Sequence, residues 1–342
     1  MRGKHSRQFR RLSVAIRYGV ILAVSGSIAA GVVLAAGHPR QARIQPLAQA
    51  EPTPAAARLR ATVAAGAAGR TAAPTASQAS ASAPASPSAH ATVAAGICTS
   101  PSAADHALAA RMSRGILAAA HGAPDVGLAV ADTRTGVSCE LHPGWHFASA
   151  SIAKVIILAA LLHELTARHG GLNAGQAGLA REMITESDNA AANTLWDEVG
   201  RANLQRFLNL AGMMHTTLGP GILWGLTQAT APDELRLLTV LTSANPVLDR
   251  ASREYVLQLM AQVIPAQRWG VPAGAEPGVT VHVKNGWLPN PQLWVVNSIG
   301  AFTSDDGVYK IVVLSQDNPA LSDGIALVQG IATVVNQALA PR

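Results

Sequence analysis

Acidic side chains are almost missing from the first 95 positions of this 342-residue chain, where Glu51 stands alone against eleven Lys and Arg. The whole chain holds 26 basic and 20 acidic residues, so from position 96 onward 15 bases face 19 acids. The high pI therefore belongs to a tail, and a basic folded face of the kind that binds nucleic acid is excluded. From Glu51 to about Ala95 large apolar residues are absent apart from Leu59. Such an Ala, Pro, Ser and Thr stretch cannot bury enough surface to offset its ordering entropy and reads as a spacer. Only two cysteines occur, Cys98 and Cys139, both after that spacer. An even pair in an exported chain reads as a disulfide, with two small buried hydrophobes as the alternative. No cysteine follows the N-terminal apolar run closely, which excludes lipid attachment there. His142, His146, His215 and His282 stand apart from one another and from Cys or acid pairs at ligand spacing, so neither a metal site nor a cofactor is expected.

What is present begins with an export signal. Arg2, Lys4, Arg7, Arg10, Arg11 and Arg17 precede an apolar run from Tyr18 to Gly37, about 20 residues and enough for a helix to cross a bilayer. The positive flank keeps the N-terminus cytoplasmic and sends the rest outward. Ala48-Gln49-Ala50 has the small-x-small form of a cleavage site but lies far from the run, so an uncleaved membrane anchor and a cleaved signal both fit. Arg10-Arg11 matches a twin-arginine signal poorly. The organisation expected is a signal or anchor over 1–37, a spacer over 38–96 and one folded domain over 97–342. That domain would be extracytoplasmic, secreted or membrane-anchored, and monomeric.

Within the domain, Ser102 is placed to cap a helix carrying Leu108, Met112 and Ile116. Val126–Ala131 and Val137–Leu141 read as strands around a turn over 132–136. Helical patterns follow over 152–169, 177–185, 190–199 and 202–210, then from Pro232 and over 252–263. Strands return at Val279–Lys284, Leu293–Phe302 and Val308–Ser315, before an amphipathic helix over 321–339. The order implies an α+β fold: a five-stranded antiparallel sheet flanked by helices from both chain ends, with an all-helical lobe inserted. No internal repeat and no second membrane-spanning segment are apparent.

Three short motifs carry the chemistry. In Phe147-Ala148-Ser149-Ala150-Ser151-Ile152-Ala153-Lys154, a helix starting at Ser151 puts Lys154 one turn on and on the same face, within reach of the serine hydroxyl. Burial that lowers the lysine pKa toward neutrality would let the amine take that proton, and the helix N-terminus would favour an oxyanion. Alone, Ser-x-x-Lys is as easily a helix cap and a surface lysine. Ser187-Asp188-Asn189 falls at a break between helices, and Lys284-Asn285-Gly286 at the end of a late strand. Ser-x-x-Lys, Ser-Asp-Asn and Lys-Thr-Gly, in that order, form the signature of class A β-lactamases and penicillin-binding proteins. Over about residues 100–340 the sequence resembles that superfamily. Asn193 downstream of the second motif, Thr230-Ala231-Pro232 and Arg268-Trp269-Gly270 add to the likeness.

The resemblance implies roles position by position. Ser151 would form the acyl-enzyme, with Lys154 as base or proton relay. Ser187 would pass a proton to the leaving nitrogen, and Lys284 would hold that hydroxyl and attract a substrate carboxylate. Asn189 would bond the substrate amide, and Asn285, Gly286 and Trp287 would line the substrate strand. The backbone amides of Ser151 and Trp287 would form the oxyanion hole. Asp188 and Asn193 would be structural. The partner implied is a small-molecule or peptide substrate, β-lactam or peptidoglycan-like.

Three departures modify this expectation. Between Leu218 and Thr230, where the class A family carries the Glu that activates the deacylating water, no carboxylate occurs. Gln228 cannot accept a proton, and Glu234 and Asp233 fall in the first turn of the next helix, where acids serve the dipole. Asn285 replaces the usual Thr or Ser, leaving an amide to serve the carboxylate pocket. The 36 positions from Ser151 to Ser187 are fewer than class A enzymes have, which implies a trimmed cleft wall. His282, alternating with Val281 and Val283, is expected on the solvent side of its strand, and Trp224, Trp269, Trp287 and Trp294 in the core or cleft wall. Two functions remain in view: a serine hydrolase that deacylates slowly, and a weak or inactive relative that binds peptidoglycan fragments or a protein partner.

Overall fold

The computed structural model describes residues 96–340 apart from 121, 124 and 291. The expected leader over 1–37 and the spacer, except Gly96, lie outside the described residues. The elements in chain order are β1 (Cys98–Thr99), α1 (His106–Ala119), β2 (Val126–Asp132), β3 (Ser138–Leu141), β4 (Phe147–Ala148) and α2 (Ala153–Ala167). There follow α3 (Ala174–Arg181), α4 (Asn189–Val199), α5 (Arg201–Leu210), β5 (Gln228–Ala229), α6 (Ala231–Thr242) and α7 (Arg250–Ala261). The chain closes with β6 (Thr280–Asn290), β7 (Leu293–Ser304), β8 (Gly307–Asn318) and α8 (Leu321–Ala338).

The main sheet is antiparallel in the order β1-β3-β2-β8-β7-β6, so the chain ends share one sheet and the helical middle is an insertion. It has six strands rather than five. The extra one is the two-residue β1, held because Cys98 pairs with Cys139 of β3 both in register and as a disulfide. Alternate residues of each strand serve different cores. Leu128, Val130, Ile311 and Val313 join Met112, Ile116, Ile331 and Val335 of α1 and α8. Ala129, Ile299, Val312 and Leu314 join the helical lobe.

At the centre of that lobe, α2 is buried on every side from Ala153 to Leu162, which explains why its sequence is apolar all round rather than striped. Ala150–Ala167 is in fact long and apolar enough to cross a membrane, the one such helix among the described residues, but 72% of it is buried inside the fold. The segment missed as a second candidate span is thus a core helix.

Side-chain caps set the lobe's boundaries. Asn173 and Gln176 form a reciprocal capping box that starts α3 three residues earlier than the apolar pattern suggested. Asp188, Thr230 and Asp249 cap α4, α6 and α7. Ser102 does not cap: a 3₁₀ turn over Ala103–Asp105 leads into α1 instead. The helix expected over 177–185 changes character at its end, widening into a π turn at Glu182–Glu186 that throws Ser187 into a left-handed conformation at φ 61°. The late strand does not end at Lys284; β6 runs six residues further and carries the third motif in its middle. His282 is not on a solvent face. It is 8% exposed and bonds the Leu257 carbonyl and Thr303 hydroxyl, because α7 covers that side of β6.

Candidate active site

Ser151 is delivered by a short segment pinned at several points. Phe147 and Ala148 pair with Ala229 and Gln228 in a two-stranded ribbon, and the Ser149 amide donates to the Thr227 carbonyl at 2.7 Å. From β7, Asn297 donates its side-chain amide to the carbonyls of Ala148 and Ser149, at 2.8 and 3.1 Å. Ala150 then adopts φ 50°, a conformation costly for a residue with a Cβ. A 3₁₀ turn over Ala150–Ile152 carries Ser151, and α2 starts at Ala153. Gly286 of β6 lies flat against this turn. A Cβ there would come within 2.7 Å of the Ser151 amide nitrogen and 2.8 Å of the Ser149 carbonyl oxygen, so the third motif touches the first only because glycine stands at 286.

The second motif completes the group. Lys154 Nζ donates to the Ser187 carbonyl at 2.5 Å, to Ser187 Oγ at 3.1 Å and to Asn189 Oδ1 at 2.7 Å. Lys284 Nζ reaches the same hydroxyl at 3.0 Å and the Asn285 carbonyl at 2.9 Å. Ser187 Oγ is thus bracketed by two amines, and the strained backbone of Ser187 aims it there. Both lysines are fully buried. Burial brings Lys154 down to about 7, partly countered by Asp188. Burial, with Lys154 as a neighbouring positive charge, pushes Lys284 well below the ordinary lysine range. Two such amines in one dry pocket cannot both hold a proton cheaply. The hydrogen bonds of Lys154 go to Ser187 and Asn189, none to Ser151, which is half-buried.

Two segments tune this centre. The loop between Leu218 and Thr230 is anchored by Arg201, which donates to the Gly219 and Leu218 carbonyls, and by Trp196, which donates to Gly221. It places Trp224 with its ring centroid 4.7 Å from Lys154 Nζ and its indole N–H on Asn193 Oδ1 at 2.7 Å. The loop thus presents an aromatic face, and no carboxylate of its own, to the amine. Gln228 turns its amide to the Leu226 carbonyl. Glu234 is sealed inside the lobe, with neither carboxyl oxygen bonded or exposed, so it is not placed to activate water. Asp188 caps α4 through the Ala191 amide at 2.7 Å. Asn285, expected to offer its amide to a substrate, is turned inward. It donates to the carbonyls of Gln267 and Trp269, both at 2.8 Å, and accepts the Ser298 hydroxyl at 2.5 Å. Trp287, two positions further along β6, leans its ring on Trp269 at 5.7 Å.

The helical insertion, the sheet order and three motifs meeting at its edge strand settle the architecture. This is the fold of the serine β-lactamase and penicillin-binding-protein superfamily. Residues 171–339 match the family described as the beta-lactamase enzyme family, a span that includes Ser187 and Lys284 and starts beyond Ser151 and Lys154. No curated protein matches the chain. Among solved structures of the superfamily fold, the chain is similar to TLA-3 extended-spectrum β-lactamase at 17% identity and TM-score 0.60, over 67% of this chain and 98% of that one. A β-lactamase from Sphaerobacter thermophilus is 21% identical at TM-score 0.58, over 68% and 99% of the two chains. PBP-A is 21% identical at TM-score 0.58, over 67% and 95%, and one of its mutants has been solved as an acyl-enzyme complex with penicillin G. At these identities the likeness is one of fold, and the site must be argued from its own geometry.

Two residues of that geometry escaped sequence reasoning, Asn297 and Ser298 of β7. The signal was available: a polar pair inside a strand whose other central residues are all apolar.

Proposed function

We propose that this chain is an exported serine hydrolase that forms an acyl-enzyme through Ser151 and releases it slowly. The observation that carries the reading is the Ser187 hydroxyl held between two buried lysine amines, with Ser151 on the adjoining turn against Gly286. Lys154, neutral in part near pH 7, takes the Ser151 proton, directly or through Ser187, as Oγ attacks a carbonyl carbon. The carbonyl oxygen gathers charge opposite the backbone amides of Ser151 and Trp287. Ser187, fed by the lysines, returns the proton to the leaving group. β-Lactams and cell-wall amides or esters are the acyl donors in view. Slow release is supported by a loop with an indole, rather than a carboxylate, beside the amine. Export is supported by the basic flank before residues 18–37.

Intact-mass measurement after incubation with penicillin G and with a fluorophosphonate tests the reading. A covalent adduct that persists for minutes and is absent in Ser151→Ala is expected. The absence of any adduct would favour the second reading, a binding relative without catalysis, whose one structural support is the inward turn of Asn285.

A further inference from the structure

We propose that this site does not use a carboxylate on the leaving side of its acyl donor, so that neutral esters and internal amides serve at least as well; the proposal rests on the acyl-enzyme reading above. A carboxylate entering a partly desolvated cleft needs a cation or a free N–H or O–H to replace its water. Asn285, Lys284, Lys154 and Arg268, the amide and cationic side chains that could serve near the third motif, each bond protein partners instead. Both N–H groups of Asn285 go to backbone carbonyls and its oxygen to Ser298, and the residue is 1% exposed. Lys284 has no exposed surface and directs Nζ to Ser187 and to the Asn285 carbonyl. Lys154 is spent on Ser187 and Asn189. Arg268, the guanidinium closest in sequence to this strand, donates to the carbonyls of Ala261 and Val281.

The inward turn of Asn285 is built into its surroundings. Ser298 Oγ donates to Asn285 while accepting the Val271 amide at 2.9 Å. Gly270, at φ 84°, leaves the room, since a Cβ there would lie 2.4 Å from Ser298 Oγ. Three residues on three segments thus agree on one orientation. The surface next to the Ser151 turn on its other side is apolar. The turn carrying Trp224 sits against Ala150, and Ile222, Leu223 and Leu226 around it are exposed. In the reaction the Ser151 Oγ–acyl carbon bond forms and the acyl C–O or C–N bond breaks. The Ser151 proton passes by way of Lys154 and Ser187 to the leaving oxygen or nitrogen, so a neutral alcohol or amine departs.

The test compares the rate of Ser151 adduct formation, by intact mass of the full chain, for penicillin G and for its methyl ester. In a site built around a carboxylate, esterification removes a charge-assisted hydrogen bond and slows acylation roughly 10- to 100-fold. Here the two rates are expected to agree within about threefold or to favour the ester, and penicillin G acylation to be insensitive to salt. Acylation by penicillin G tenfold or more faster than by the ester overturns the proposal and leaves the acyl-enzyme reading intact. Fluorophosphonate labelling of Ser151 with neither penicillin reacting also overturns it, because a neutral acyl donor is then refused. Only the failure of all three reagents removes the acyl-enzyme itself.

Discussion

Glu234 offers the sharpest test of the packing, because it is a carboxyl group with nothing to ionise against. It lies on the first turn of α6, fully buried, with both oxygens unbonded. Its neighbour Asp233 holds the stabilising contacts instead, accepting the His215 amide, the Thr216 hydroxyl and Arg236. Burial first, and the Asp233 charge second, raise Glu234 from 4.5 to about 8. The folded chain therefore keeps a proton that the unfolded chain releases. Below pH 4.5 both states are protonated and the group costs nothing. From there to about pH 8 stability falls, at up to about 1.4 kcal/mol per pH unit, and above it the loss is complete. The ceiling is ~5 kcal/mol, of which about 3 kcal/mol falls between pH 5 and pH 8. Glu234→Gln removes the titration and keeps the shape. Denaturant unfolding of both proteins at pH 5 and pH 8 isolates the term, since every other titrating group is shared. The wild type should lose about 3 kcal/mol more than the variant over that interval, about 1 M in urea midpoint. Parallel pH dependences, within ~0.5 kcal/mol, would show that Glu234 ionises freely in the folded protein and that this part of α6 is wet.

Three further outcomes follow from the same structure. Because burial brings Lys154 to about 7 and the neutral amine is the base, the rate of Ser151 adduct formation should climb tenfold per pH unit below pH 7 and level off above it; a midpoint above pH 9 would contradict the dry pocket. Trp224→Ala opens the space beside the Lys154 amine, so water gains access and the penicillin G adduct should decay at least tenfold faster in a mass time course, while Trp224→Phe should stay near wild type. Cys139→Ser releases a disulfide across 41 positions and should cost about 2–4 kcal/mol in unfolding free energy, with acylation unchanged, because β1 and β3 lie at the opposite edge of the sheet from β6.

Local and periodic features were legible in the sequence because they depend on neighbours a few residues away. The split of the chain ends around a helical insertion followed from alternating strand patterns at both ends and 3.6-residue patterns between them. The three motifs were recognisable by their order, whereas the one cap named from residue type, Ser102, makes no capping bond, and Asp188 and Thr230 cap instead. What sequence could not decide was the direction of individual side chains. His282 alternates as a solvent-facing residue would, yet α7 covers that face of β6 and turns it into a buried bridge between Leu257 and Thr303. Asn285 occupies a substrate position in the motif, but Ser298 and Gly270, 13 and 15 positions away, draw it inward. Trp224 reads as a wall residue until the loop folds and sets it over Lys154. The sequence alone determined which residues would be gathered, since periodicity and motif order are written along the chain. Only the tertiary structure decided what each gathered group could still bind, because that depends on which of its hydrogen-bonding atoms distant segments have already taken.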